Sequence, residues 1–408
     1  ELDAVGAAGQ GNVDAVVDQE QGFFTSDVAK LVGQGQQFPA REFLLAELDQ
    51  VHAAGYGEVD LARRLQSGVA DIVKQQVDSG IDIVNDGELS KTGFSDYVQE
   101  RMGGLETRPS RAYASRIAGR DVSEFPGYFD ETTGFPGGRQ RPTGLARMLV
   151  SCISPLSYTG QASVQSDIGN FKPALQGVAV EESFLPAIAP GTIEHWLQNE
   201  HYPDDESFLF AIADVMHEEY KAIVDSGFLL QIDDPDLGDG WQIHNNLNVA
   251  EYRKYAELRV DALNHALRGL PAGRMRLHVC WGSYHGPHLY DIPLRDIVDL
   301  ILKVQVGGYS IEASNPRHEH EWRVFEDVKL PEGTVLIPGV VGHATDFIEH
   351  PELVAERIVK YAGLVGRENV IAGTDCGLGT RVGHPKICWA KFHALAEGAQ
   401  IATKQLWG

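Results

Sequence analysis

From residue 228 onward the chain alternates strand-like and helix-like runs with little between them, and this alternation restricts the fold more than any other feature. A strand at 228–233 is followed by a helix at 249–269, the strand carrying His278, a helix at 293–305 and the strand carrying Glu312. A strand at 334–341, a helix at 351–365, a strand at 369–374 and a helix at 385–404 complete the series. Repeated strand–helix units with β-branched strands imply a parallel sheet. Strands that end one after another in polar residues predict a (β/α)8 barrel with its site at the C-terminal face. An open doubly wound sheet is the other arrangement such a pattern allows, but no G-x-G-x-x-G or G-x-x-x-x-G-K-[ST] loop supports its nucleotide-binding version.

Upstream the signals are less regular. Residues 61–79 carry an apolar stripe of Leu61, Leu65, Val69, Ile72, Val73 and Val77, ended by Gly80. Residues 81–88 read as a strand with the polar tip Asp86-Gly87-Glu88. A further strand is expected at 147–153, another at 182–189 and a helix at 205–226. The whole chain, 1–408, is read as one elaborated barrel domain with an irregular segment at 1–60 and an inserted Arg/Gly/Pro-rich flap at 104–143.

The strand tips carry the chemistry. In Leu277-His278-Val279-Cys280 the side chains of His278 and Cys280 point the same way, because residues two apart on a strand share a face. An imidazole and a soft thiolate on one spot suit Zn2+. Glu312 and Cys376 stand where two later strands give way to loops, and the four together would close a tetrahedral site that a thiol substrate enters by displacing one ligand. The bland alternatives are a core His-x-Cys triplet, helix or loop caps at Glu88 and Asp233-Asp234, and packing at Trp196. His285, His288, His318 and His320 are read as surface or supporting residues, with Glu319 and Glu321 as ion-pair anchors.

Charge and cysteine content narrow the class. A formal net charge of −24 argues against nucleic acid and anionic membranes, which need a basic surface. No apolar run reaches the length that spans a bilayer, and no signal peptide is visible. Cys152, Cys280, Cys376 and Cys388 show no C-x-x-C spacing, which fits a reducing cytoplasm. A homo-oligomer is compatible with a chain of this size.

The ordered tips Asp86-Gly87-Glu88, Ile232-Asp233-Asp234-Pro235, His278-Val279-Cys280, Ile311-Glu312-Ala313-Ser314 and Asp375-Cys376-Gly377-Leu378 resemble the catalytic domain of cobalamin-independent methionine synthase. The wider superfamily includes zinc-dependent epoxyalkane:coenzyme M transferases. The resemblance covers roughly 60–400 and implies a (β/α)8 barrel whose zinc activates a thiol for alkyl transfer. It implies His278, Cys280, Glu312 and Cys376 as metal ligands. Glu88, Asp233 and Ser314 are implied at the thiol substrate, and Trp196 resembles the family's tryptophan beside the folate. His343, after Gly339-Val340-Val341-Gly342, matches the family's proton-donating histidine with a one-residue gap. Two departures stand out. The family's Gly-Ser-Leu-Pro-like first tip is not found in 1–60, and the loop Trp281-Gly282-Ser283-Tyr284-His285-Gly286-Pro287-His288 differs from that of methionine synthase.

The expected partners are therefore a small-molecule thiol and an alkyl donor. A thiol of pKa about 8.5 is mostly protonated at neutral pH, and coordination to zinc removes that proton. The leaving group needs a proton in turn, for which a histidine is suited near pH 7. Alternatives are an epoxide–thiol transferase or C–S lyase of the same superfamily, a zinc hydrolase that activates water, and a barrel with structural zinc. Two thiolate ligands disfavour the hydrolase.

Overall fold

The computed structural model describes residues 58–110, 119–126, 128, 147–283 and 285–408. Seven strands form one sheet: β1 (Ile83–Asn85), β4 (Glu182–Ile188), β6 (Leu229–Asp233), β7 (Met275–Val279), β8 (Gly308–Ile311), β9 (Val335–Val341) and β10 (Gly373–Thr374). They lie in chain order and every neighbouring pair is parallel. From β6 to β9 every strand residue is buried, as a sheet covered on both faces requires. The helices that cover it are built as the sequence suggests. Asp204 caps Asp205–Asp225 by accepting from Ser207 N, and Asn248 with Glu251 forms a capping box on Val249–Ala266. Pro351 and Pro385 begin the last two long helices, Pro351–Val365 and Pro385–Trp407.

The sheet curls. Ile83, Phe184 and Leu229 from β1, β4 and β6 meet Val335 and Ile337 of β9, together with Ile371, in a cluster separate from the main core. Strands at opposite ends of a flat sheet could not share such a cluster. It is the filling expected inside a barrel-like curl. No pairing joins β10 to β1 among the described residues, so the sheet there is a run of seven parallel strands. Residues 1–57, in which the first strand was sought, lie outside the described residues.

Three local differences from expectation appear. The flap expected from residue 104 begins as strand β2 (Met102–Ser110), paired antiparallel with β3 (Arg147–Tyr158), which runs past the expected end at 153. β3 pairs in turn with β5 (Leu197–Asn199) in a second, three-stranded sheet. The rest of the flap, at 111–118 and 129–146, lies outside the described residues, and with it Arg111, Arg116, Arg139 and Arg141. Finally, the helix expected at 293–305 is only a turn at Leu294–Asp296 and a short helix at Val298–Ile301, because Ile297, at φ −133°, interrupts the run.

Candidate functional site

Strand register sets the site. Asp233 is paired with His278 and His278 with Ser310, so the C-terminal ends of β6, β7 and β8 stand level. His278, Cys280 and Cys376 each bring a donor atom to within 4.8 Å of the others, all buried. Nε2 of His278 lies 3.2 Å from Cys376 Sγ, and its Nδ1 lies 3.2 Å from Ser310 Oγ. Burial, aided by Arg276, lowers His278 to about 4, so its ring is neutral, as a metal ligand must be. A hydrogen bond with Cys376 favours the Cys280 thiolate, but burial and the charge of Glu312 outweigh it and the net shift is upward. Cys376 is held well above the ordinary thiol range, first by its bond to Cys280 and then by burial. Two buried thiols that resist ionising, beside a carboxylate and a neutral imidazole, form a donor set that a divalent cation would satisfy, and zinc fits it.

Glu312 stands beside this group. Its Oε2 accepts from Trp281 N at 2.9 Å and its Oε1 from Asn315 Nδ2 at 3.0 Å. A carboxylate oxygen of Glu312 groups within 4.8 Å with His343 and Asp375. Asp375 accepts from Ala313 N at 2.7 Å and from both N and Oγ of Ser314 at 2.8 and 2.6 Å, while burial lifts it to about 7. Ser314 is thus committed to Asp375. His343 is 1% exposed, and neither ring nitrogen has a hydrogen-bond partner among the described residues. Burial first, with the nearby His278, His288 and His285 imidazoles and the Arg381 guanidinium disfavouring a further positive charge, pushes it down to about 3.

On the other side, Gly87 at φ 71° and Glu88 at φ 52° turn the chain sharply after β1. Left-handed backbone costs a non-glycine residue roughly 1 kcal/mol or more, so Glu88 is held there by its surroundings. Asn85 Oδ1 accepts from Gly87 N at 2.8 Å and Asp86 Oδ1 from Glu88 N at 2.9 Å. Glu88 Oε1 meets Lys91 Nζ at 3.1 Å, while its Oε2 is buried with no partner among the described residues. Asp233 accepts from Gln231 at 2.9 Å; burial first, then the charge of Glu88, raise it well above the carboxylate range. Trp196 ends the helix Pro190–Trp196 and lines a small cleft with Ser95, Val98 and Leu105.

Asp291, Lys391, Gly238 and Arg381 escaped the sequence reading. His288 Nδ1 and His318 Nε2 both bond Asp291 Oδ2, at 2.6 and 3.0 Å, and His318 Nδ1 bonds Glu321 at 2.8 Å. Trp281, next to Cys280, stacks on His318 at 3.9 Å. The histidines were visible as a cluster, but Asp291 joins them only through folding. Lys391, on the last helix, bonds the carbonyls of Gly342 and Phe347 and the Glu349 carboxylate, fastening the loop that bears His343. Gly238 has no room for a side chain, since a Cβ would lie 2.5 Å from the Cys280 carbonyl. Arg381 donates to the Ser283 carbonyl, and Ser283 bonds the Cys376 thiol.

Comparison with known proteins agrees with this arrangement. The model of the family described as the catalytic domain of cobalamin-independent synthase matches residues 180–399, more than half of the chain. The methionine synthase of Thermococcus kodakarensis is 22% identical over 371 residues, covering 90% of this chain and 92% of the relative. That of Sulfolobus acidocaldarius is 25% identical over 379 residues, covering 89% of each. A B12-independent methionine synthase from Shewanella sp. W3-18-1, solved with selenomethionine, superposes with a TM-score of 0.65 at 20% identity, covering 86% of this chain and 91% of that one. With strand tips, thiol group and family match in register, the chain belongs to the catalytic-domain family of the cobalamin-independent synthases.

Proposed function

We propose that the protein is a zinc-dependent methyltransferase that alkylates the sulfur of a small thiol in the manner of methionine synthase, on a sheet that belongs to a (β/α)8 barrel. The observation that carries this reading is the convergence of His278, Cys280 and Cys376 from two separate strand ends onto one buried point. These three would hold the metal, with Glu312 as the adjacent carboxylate. Bound there, Zn2+ would supply the charge that takes a thiol from its ordinary pKa of about 8.5 to the thiolate at neutral pH. Two cysteine ligands keep that site electron-rich, which favours sulfur nucleophilicity over water activation. Free thiols at the metal fit a reducing cytoplasm. Among the described residues no helix is long and apolar enough to cross a membrane.

The remaining residues divide the work. Glu88, with an unpartnered buried oxygen, and Asp233 face an ammonium group on the thiol. His343 gives the leaving group its proton. Being neutral when free, it must first take one up, and Glu312 and Asp375 are the carboxylates grouped with it. Metal analysis combined with a homocysteine methylation assay tests the whole reading. About one zinc per chain is expected. Cys280→Ser and Cys376→Ser should lose it while the melting transition persists, because the core does not depend on this one site. Full metal retention in both variants would end the assignment.

A further inference from the structure

The loop after β7 and the segment after β8 build a second cluster of metal-binding side chains. The first supplies His288 and Asp291, spaced H-x-x-D, and the second His318 and Glu321, spaced H-x-x-E. All four are buried. One donor atom each from His288, Asp291 and His318 lies within 4.8 Å of the others, with Asp291 Oδ2 between His288 Nδ1 at 2.6 Å and His318 Nε2 at 3.0 Å. Outer partners aim these atoms. Glu321 Oε2 engages His318 Nδ1 at 2.8 Å, which turns Nε2 inward, and Gln242 Nε2 donates to Asp291 Oδ1 at 2.8 Å, which leaves Oδ2 inward. Glu321 is itself held, since its Oε1 accepts from Leu294 N at 2.8 Å, and Trp281 covers one face of the His318 ring. His288 has left-handed backbone at φ 51°, and Asp121 binds the N–H groups of the next two residues, Leu289 and Tyr290. A carboxylate on the far nitrogen of a histidine is the usual support of a metal-binding imidazole.

We infer that His288, Asp291 and His318 form a second divalent-cation site, distinct from the thiolate group. Hydrogen bonding alone leaves this cluster unbalanced. A proton on each His318 nitrogen sets one imidazolium against two carboxylates, so a net negative charge stays buried. A divalent cation that takes the place of the Nε2 proton brings two neutral imidazoles and two carboxylates to zero net charge. The donors are two nitrogens and an oxygen with no sulfur, a set that suits Co2+, Fe2+ or Mn2+ with water in the remaining positions. Leu289 and Tyr290, between two of the ligands in the chain, are exposed, so an ion reaches the site from the surface. A protein that carries zinc alone keeps His318 as the imidazolium bridging Asp291 and Glu321. The bound ion ties the loop that follows Cys280 to the segment that follows Glu312, and the inference does not depend on the chemistry proposed at the thiolates.

Titration of the purified full chain with Co2+, followed by metal analysis, visible absorption and thermal melting, tests this. Wild type should take up one Co2+ per chain beyond the metal it already holds, with ligand-field bands, no thiolate-to-cobalt charge-transfer band and a raised melting temperature. His288→Gln and Asp291→Asn should weaken that binding about 100-fold or more. Glu321→Gln, which keeps an acceptor for His318 Nδ1 without the charge, should weaken it about tenfold, the scale of a lost supporting partner. Cys280→Ser should leave this cobalt in place. No additional cobalt in wild type overturns the inference. So does cobalt that enters only with a charge-transfer band, because it has then replaced the metal at the thiolates. Unchanged affinity in a cooperatively melting His288→Gln protein overturns it as well. If Asp291→Asn does not fold, His288→Gln and Glu321→Gln decide, and the wild-type count stands without any variant.

Discussion

Asp375 takes both hydrogens that Ser314 can offer, the backbone N–H at 2.8 Å and the hydroxyl at 2.6 Å. Together with Ala313 N at 2.7 Å, these bonds lash the tip of β10 to the tip of β8, across β9 which lies between them in the sheet. Cys376 directly follows this carboxylate and Glu312 directly precedes the donors it binds. The spacing of two proposed metal-site residues is therefore held by one side chain.

Asp375→Ala should loosen that spacing. Each buried backbone donor left unpaired costs about 1–3 kcal/mol, and loss of a group that orients metal ligands costs about 10–100-fold in affinity. Asp375→Asn keeps an acceptor for the two N–H groups and should sit between. Chelator competition with denaturant melts measures both effects; an alanine variant with wild-type stability and zinc affinity would refute the role.

His343→Gln should slow turnover by roughly 10² or more, the usual cost of removing a general acid, with zinc and thiol binding intact. A wild-type rate in this variant would mean that another residue or water delivers the proton, and that the one-residue gap in the motif is a real mismatch.

The His318 ring predicts a pH dependence of stability. Burial disfavours its charge, but bonds to Asp291 and Glu321 outweigh that and raise it from 6.5 to about 9. A raised folded pKa gives stability that is complete below the unfolded value and disappears as pH climbs through the folded one. Its contribution, on the order of 1–3 kcal/mol, should therefore be present at about pH 6 and gone above about pH 9. Melting of wild type against His318→Gln should show a gap that closes at alkaline pH. A gap independent of pH would mean that the ring acts only by stacking on Trp281.

Glu88 and Asp233 should set the sign preferred near the sulfur. Homocysteine is expected to outperform the sulfonate thiol coenzyme M, and Glu88→Gln combined with Asp233→Asn should erode the preference about tenfold or more. Strong selection for the sulfonate in wild type would show that arginines, from the flap or at Arg381, govern the field instead of these carboxylates.

Much of this was already legible along the chain. Period and composition marked the buried parallel strands because such strands read as short apolar runs whatever surrounds them, and polar residues at their ends marked a common face. His278 and Cys280 were readable as a pair because strand geometry alone places them together. Cys376, nearly a hundred residues on, could be joined to them only by order and resemblance until the sheet brought its Sγ within 3.2 Å of His278. The third dimension also decided what each polar group is bound to. Ser314 turned out to serve Asp375, Asp291 to gather two histidines, and Lys391 to fasten the His343 loop, while Arg381 meets no carboxylate among the described residues. Such pairings depend on which loops meet above the sheet. Each costs or gains a kcal/mol or so through burial and partner geometry, quantities that no local pattern of residues contains.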